Sequence, residues 1–299
     1  MDDDTRNRSQ GHDQSRDGDE ASRKLRKLLI GEFSLKRLLR STIIIYICLL
    51  IFAHVWSEWM IYCPQPPSYT DTAEIPDTAP ILKIPTADGL TISALHMINP
   101  KAEYTVLYSH GNAVDLGDIR QLMENYRSQG FSVFSYDYHG YGTSDGRPST
   151  KNVYLDADAA LRYLTEQKQI PPQRIIIHGR SLGGGPALYL AHKSNVAGLI
   201  VESAFVTAYR VMTHIPLFPF DKFRNISLID EVNCPVLVIH GRRDRTIPFW
   251  HGQALFDRAR APKMNCWLDE TDHDYIPSKA RKTYWAAVQR FVKEMVISP

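Results

Sequence analysis

The strongest constraint on the fold is an alternation that runs from residue 104 to the C-terminus. Short, continuously apolar runs take turns with segments of helical period. Tyr104–Ser109, Phe131–Tyr136, Arg174–His178, Ala197–Glu202, Pro235–His240 and Lys263–Asp269 read as strands. Asp115–Gln129, Asn152–Glu166, Gly183–Lys193, Phe249–Arg260 and Lys279–Val296 read as helices. In the first of these, Leu116, Ile119, Leu122 and Tyr126 share a face, and Gly130 stands at the C-terminal end. Pro186 falls early in its helix, where the missing N–H costs little. Upstream, Ile81–Pro85 and Leu90–Ile98 flank Asp88-Gly89, a strong hairpin signal. Strands apolar along their whole length are buried on both faces, so the pattern predicts a mostly parallel sheet covered by helices on each side. Ligands bind such sheets beyond the carboxyl ends of the strands. Functional residues are therefore expected just after strands.

Directly after Arg174–His178 stands Gly179-Arg180-Ser181-Leu182-Gly183, a G-x-S-x-G between a strand and a helix. Glycines at those spacings let a sharp turn pack strand against helix while the serine takes a strained backbone conformation with Oγ presented. Serine is a weak nucleophile without a base, and the base needs an acid to orient it. On such a sheet they follow in the order serine, acid, histidine. Asp244 follows the strand PVLVIH, in HGRRDRTIP, and His273 follows the next strand, in WLDETDHDY. His273 is flanked by Asp272 and Asp274, as a surface histidine in an acidic loop would be. It is, however, the only histidine after Asp244 that lies beyond a strand end. The oxyanion of acyl transfer needs two backbone donors, expected from Leu182, after the nucleophile, and from Asn112 in the loop Ser109–Ala113. His110, just before Gly111, suits a role in shaping that loop.

YSHGNAVD, the Asp137–Gly146 loop DYHGYGTSDG, HGRSLGG and HGRRDRTIP stand in this order over about residues 81–297. In these motifs the sequence resembles the α/β-hydrolase superfamily. The wording HGNAVD and SYDYHGYG looks like the branch that contains eukaryotic protein depalmitoylases and related membrane-anchored hydrolases. The resemblance implies hydrolysis of acyl esters or thioesters near a membrane. That branch attaches through a cysteine-rich lipidated N-terminus, whereas this chain has no cysteine before Cys48.

Other motifs point elsewhere or nowhere. Gly140, Gly142 and Gly146 follow a strand and invite a dinucleotide reading, but no helix follows at once and Pro148 interrupts the segment. No Walker A or H-E-x-x-H occurs and the histidines lack metal spacing, so no cofactor or metal is expected. Cys234 and Cys266 lie at or within strands without a C-x-x-C pair, and read as buried free thiols or as a bridge. Between Glu202 and Cys234 an apolar insertion carries Phe205, Val211, Met212, Ile215, Leu217, Phe218, Phe220 and Phe223 with Pro216 and Pro219. It is either a small cap lining an acyl pocket or an ordinary helix packed on the sheet.

The N-terminal region differs from the rest. Residues 1–20 hold seven acidic and three basic side chains, and residues 21–40 seven basic and one acidic. The formal charge of +2 therefore leaves the remaining 259 residues balanced. A neutral body excludes the dense basic field of a nucleic-acid binder, while 43% hydrophobic residues exclude a wholly disordered chain. Residues 1–20 are expected to be disordered, and the basic stretch to lie at an anionic membrane surface. Thr42–Trp56 is uncharged, and extension to Tyr62 adds only Glu58, with Trp56, Trp59 and Tyr62 placed like an interfacial belt. A cleavable signal peptide lacks its cleavage site here, and a buried core helix does not account for the bases upstream. The expected order is an acidic tail and basic segment over 1–40, a transmembrane anchor over 41–62, a linker over 63–80 and an α/β-hydrolase domain over 81–299. Positive charge before the span keeps the N-terminus cytoplasmic and the hydrolase domain on the opposite side.

The sequence thus predicts a membrane-anchored serine hydrolase that cleaves carboxylic esters or thioesters through an acyl-enzyme. Its partners are the acyl substrate and membrane lipid. A serine peptidase on the same fold, or a non-catalytic membrane-tethered module, are the alternatives; Ser181, Asp244 and His273 in register argue against the latter.

Overall fold

The computed structural model describes residues 34–70, 79–273 and 280–296. The expected acidic tail, most of the basic segment and residues 71–78 of the expected linker lie outside the described residues. The chain divides into two compact units, Met1–Ser57 and Glu58–Pro299.

In the first unit the described element is most of helix α1, Leu35–Ile61, whose last turn belongs to the second unit. Its 27 residues have a mean hydropathy of 2.1 in the most apolar stretch. At 1.5 Å per residue that is about 40 Å, more than the roughly 30 Å of a bilayer core. Ile43, Ile44, Ile45, Leu49, Ile51, Phe52 and Val55 are all exposed.

The second unit is built on eight strands: β1 Leu82–Pro85, β2 Thr91–Met97, β3 Thr105–Ser109, β4 Ser132–Tyr136, β5 Ile175–Arg180, β6 Gly198–Glu202, β7 Val236–Gly241 and β8 Lys263–Leu268. They form one sheet in the order β1-β2-β4-β3-β5-β6-β7-β8. The pairs β1–β2 and β2–β4 are antiparallel and every other pair is parallel. In the centre, Ile177 stands opposite Leu107 on one side and Leu199 on the other.

Alternation along each strand feeds two cores. Leu107, Phe134, Ile175, Ile177, Leu199, Val236 and Val238 face one side. They pack with α3 (Thr150–Arg162), α4 (Gly184–Lys193) and α6 (Trp250–Arg258) through Val153, Ala157, Leu188 and Leu255. Val106, Tyr108, Val133, Ile176, Ile200, Leu237 and Ile239 face the other. There they meet α2 (Arg120–Ser128) and α7 (Arg281–Phe291) through Met123, Tyr126, Tyr284, Trp285 and Phe291. This is the doubly covered, mostly parallel sheet that the sequence pattern predicts.

Element ends shift for local reasons. Helix α2 begins at Arg120 rather than Asp115, because the Asp115 carboxylate accepts from the Gly117 and Asp118 amides and closes a turn of its own. Helix α3 begins where the Ser149 side chain caps the Asn152 N–H at 3.1 Å.

One expectation needs correction, and two open alternatives are narrowed. Tyr62, read as part of an interfacial belt, is 4% exposed and packs edge-on against Phe223 inside the second unit. An aromatic ring with a protein core available to it buries its area there. The insertion after β6 does not form an ordinary helix: its longest helix is the four-residue α5, Asn225–Leu228, with 3-10 turns at Tyr209–Val211 and Ile229–Glu231. Pro216 and Pro219 preclude a longer run. Met212 and Ile215 stand exposed at 81% and 62%, while Phe205, Phe223 and Ile229 are buried. All four cysteines are free, Cys234 and Cys266 buried, so the bridge does not form; burial pushes their thiols up to about 12 and about 11.

Phe223 joins the insertion to the body, since its ring meets Tyr62, Tyr154 and Phe205. Phe223→Ala is expected to cost about 3–5 kcal/mol of stability, read as a lowered urea midpoint with an unchanged m-value.

Candidate active site

The turn after β5 is built by what its glycines leave out. A Cβ on Gly179 would stand 2.2 Å from the Gly183 carbonyl oxygen, and one on Gly183 would stand 2.0 Å from the Ser109 carbonyl oxygen. With no side chain at either position, β5 runs through a 3-10 turn, Ser181–Gly183, directly into α4. Ser181 sits at the apex with φ +53°, a left-handed conformation that costs a non-glycine residue on the order of 1–3 kcal/mol.

Asp244 follows β7. Its Oδ1 accepts from the amides of Thr246 at 3.0 Å and Ile247 at 2.7 Å, which leaves Oδ2 directed to His273 Nδ1 at 2.8 Å. His273 Nε2 lies 3.1 Å from Ser181 Oγ. Burial works against the Asp244 anion, but hydrogen bonds from His240, His273 and the Ile247 amide outweigh it and hold the carboxyl well below the usual range. An anion at Oδ2 keeps the proton on Nδ1, so Nε2 is the ring atom that accepts from the serine hydroxyl. Three residues from the ends of three different strands thus meet within hydrogen-bond reach.

The loop after β3 lies against the same turn. A Cβ on Gly111 would stand 3.6 Å from Ser181 Cβ, and the Gly183 contact with Ser109 closes the other side. Asn112 is therefore beside the serine, and Leu182, 3% exposed, is within its turn. His110 is fully buried, 3.3 Å from Asp137, with its carbonyl accepting from Tyr138 Oη at 2.6 Å. His110 thus ties the β3 loop to Asp137 and Tyr138, as a loop-shaping residue does.

Sequence reasoning missed the support beneath the row. Arg180 Nη2 donates to the His273 carbonyl at 2.7 Å, and Arg180 Nε pairs with Glu202 at 3.1 Å. Glu202, at the end of β6, is fully buried and also receives Tyr284 Oη at 2.9 Å, with His178 Nε2 at 3.0 Å. Burial raises the Glu202 carboxyl, but contacts with His178, Arg180 and Tyr284 outweigh it and bring the group below its ordinary value. An acid closing a wholly apolar strand is the one signal that marked it in the sequence. Among the described residues, no group of three or more His, Cys, Asp or Glu side chains is arranged to hold a metal ion.

A serine–histidine–carboxylate row above a sheet of this order defines the class: an α/β hydrolase. Residues 100–222 match the family model described as serine aminopeptidase, S33. The alpha/beta hydrolase domain-containing protein 17B of Xenopus tropicalis is 34% identical over 251 residues, covering 81% of this chain and 85% of the relative. The human protein of the same name is 33% identical with the same coverage. The chain belongs to this alpha/beta hydrolase domain-containing family and is a hydrolase. In solved structures, an esterase of Pyrococcus furiosus superposes with a TM-score of 0.65 at 20% identity, over 79% of this chain and 99% of the other, which shows the shared fold.

The buried Glu202 sets a pH dependence. A carboxyl lowered in the folded state contributes stability that is complete above its unfolded value, about 4.3, and is lost as pH falls through the folded value. Urea midpoints measured between pH 3 and 7 should therefore drop on the acid side, and Glu202→Gln should flatten that limb while lowering the plateau. Arg180→Met removes the tie to the His273 carbonyl and leaves Glu202 underpaired. A fall in kcat of about tenfold or more is expected, with Arg180→Lys recovering part of it.

Proposed function

We propose that this hydrolase is a membrane-anchored serine esterase or thioesterase working through Ser181, His273 and Asp244. The observation that carries the reading is the row itself: a strained Ser181 whose Oγ is 3.1 Å from a histidine that is 2.8 Å from a buried aspartate.

In this reading Ser181 Oγ attacks the substrate carbonyl carbon while its proton passes to His273 Nε2. The carbonyl oxygen, now an anion, is held by the backbone N–H groups of Asn112 and Leu182. As the tetrahedral intermediate collapses, the bond to the alcohol or thiol breaks and the leaving group takes the proton from His273. An acyl-Ser181 ester remains. Water then gives a proton to Nε2 and adds to the acyl carbon, and Ser181 recovers the proton as the acid departs. Asp244 stays ionised throughout and stabilises the imidazolium.

Anchoring is supported by the length and hydropathy of α1, with seven basic residues over 21–40 and only Lys83 between Tyr62 and residue 100. By the positive-inside rule the N-terminus is cytoplasmic, the hydrolase domain is on the opposite side and membrane lipid contacts α1. An acylated lipid, small molecule or protein fits a hydrolase held at a membrane. Amide hydrolysis is the second reading, favoured by the matched family description, serine aminopeptidase.

The test is labelling of the full chain in detergent with a fluorophosphonate, followed by turnover of p-nitrophenyl esters, acyl thioesters and aminoacyl p-nitroanilides. Wild type should label and Ser181→Ala should not, with kcat reduced by about 10⁴-fold or more. Folded wild type that neither labels nor turns over any of the three would overturn the reading. Faster turnover of the anilide would favour the peptidase.

A further inference from the structure

The last turn of α1 and the residues after it are tied to the loop beside Ser181. Asn112 Nδ2 donates to the Ile61 carbonyl at 2.8 Å, one of the carbonyls that a helix end leaves without a partner in its own ladder. Asn112 Oδ1 accepts from the Cys63 amide at 3.1 Å and from Tyr141 Oη at 2.5 Å, and the Cys63 amide also reaches Tyr141 Oη at 3.2 Å. The side-chain amide of Asn112 is thus engaged by residues 61–63, Tyr141 and the following Ala113 amide, and the preceding Gly111 lies against the serine, where a Cβ would stand 3.6 Å from Ser181 Cβ.

The same segment is pinned at both ends. Glu58 accepts from the Thr150 amide at 2.9 Å and pairs with Lys222 at 2.6 Å, so the last helical turn is fixed to α3 and to the insertion. Further on, the Ser68 amide donates to Asp115 at 2.7 Å, and Tyr69 Oη donates to the buried Asp137, whose other oxygen accepts from Leu116 at 3.0 Å. The loop 110–116 is bordered by residues 58–69 along its length.

We propose that Glu58–Cys63 is a working part of the active site: the C-terminal end of α1, through Ile61 and Cys63, positions Asn112 so that its backbone N–H meets the oxyanion. Asn112 through its side chain and Tyr141 are positioning residues, and Glu58 acts on them by fixing the turn. The segment that joins a membrane helix to its enzyme then also sets catalytic geometry. This rests on the proposed triad and on Asn112 as an oxyanion donor.

The physical ground is that an oxyanion donor acts through placement. Loss of one such donor costs about 10²–10³ in kcat, and displacement of about 1 Å can cost 10²-fold, while ground-state binding is little changed. The experiment uses the full chain in detergent, with p-nitrophenyl butyrate as substrate and an alkyl trifluoromethyl ketone as the probe that forms an oxyanion adduct with Ser181.

Asn112→Ala should lower kcat by about 10- to 100-fold with KM within about twofold, and weaken the ketone by the same factor. Tyr141→Phe and Glu58→Ala should move kcat and ketone affinity together in the same direction, by smaller factors. If Asn112→Ala does not fold, Tyr141→Phe and Glu58→Ala carry the test. The proposal is overturned if both keep wild-type kcat and ketone affinity, or if they lower Tm while leaving those two unchanged. Ser181→Ala is run beside them: turnover or ketone binding that survives it marks failure of the triad reading, which is a different outcome.

Discussion

The left-handed backbone at Ser181 governs the geometry around it. It exists because β5 must turn into α4 within three residues, and because Gly179 and Gly183 let two carbonyl oxygens come where side chains would otherwise stand. The strain at one residue is offset by the packing of a fully buried central strand and its helix, whose Ile175, Ile177, Leu188 and Leu190 lie wholly in the core. The other members of the site are set by the same sheet. Parallel strands release Asn112, Asp244 and His273 at one edge, and the distances among them follow from the strand order.

Three carboxylates buried at that edge are paired with histidines. Asp137, Glu202 and Asp244 lie at or just beyond the ends of β4, β6 and β7, and each meets a histidine: His110, His178 and His273. Such groups are costly when unpaired and directional when satisfied. Here they tie the loop after β4 to the loop after β3, β6 to β5, and the loop after β7 to the loop after β8. Arg180 extends this to the histidine loop by linking Glu202 to the His273 carbonyl, so one residue of the serine motif holds a second member of the row.

Most of the sheet was legible because its strands are apolar throughout and its helices amphipathic, patterns that burial on both faces imposes directly. The row was legible for a similar reason: Ser181, Asp244 and His273 each follow a recognisable strand. Less visible were features that depend on distant partners. Tyr62 read as an interfacial residue because its neighbours are apolar, yet Phe223, far along the chain, gives it a core to enter. Helix α2 lost its first turn to the Asp115 carboxylate, a local competition that periodicity does not register.

The class of fold, the serine turn and the order of the three residues of the row can be read along the chain, because they follow from local pattern and chain direction. Tertiary structure alone decided that Asp244 Oδ2 rather than Oδ1 meets His273, that Glu202 and Arg180 support the row from beneath, and that Ile61 and Cys63 border the Asn112 loop. Each of those depends on where two segments far apart in the chain come to rest. Hydrogen bonding fixes such details at the scale of a few tenths of an ångström, and only packed elements supply that precision.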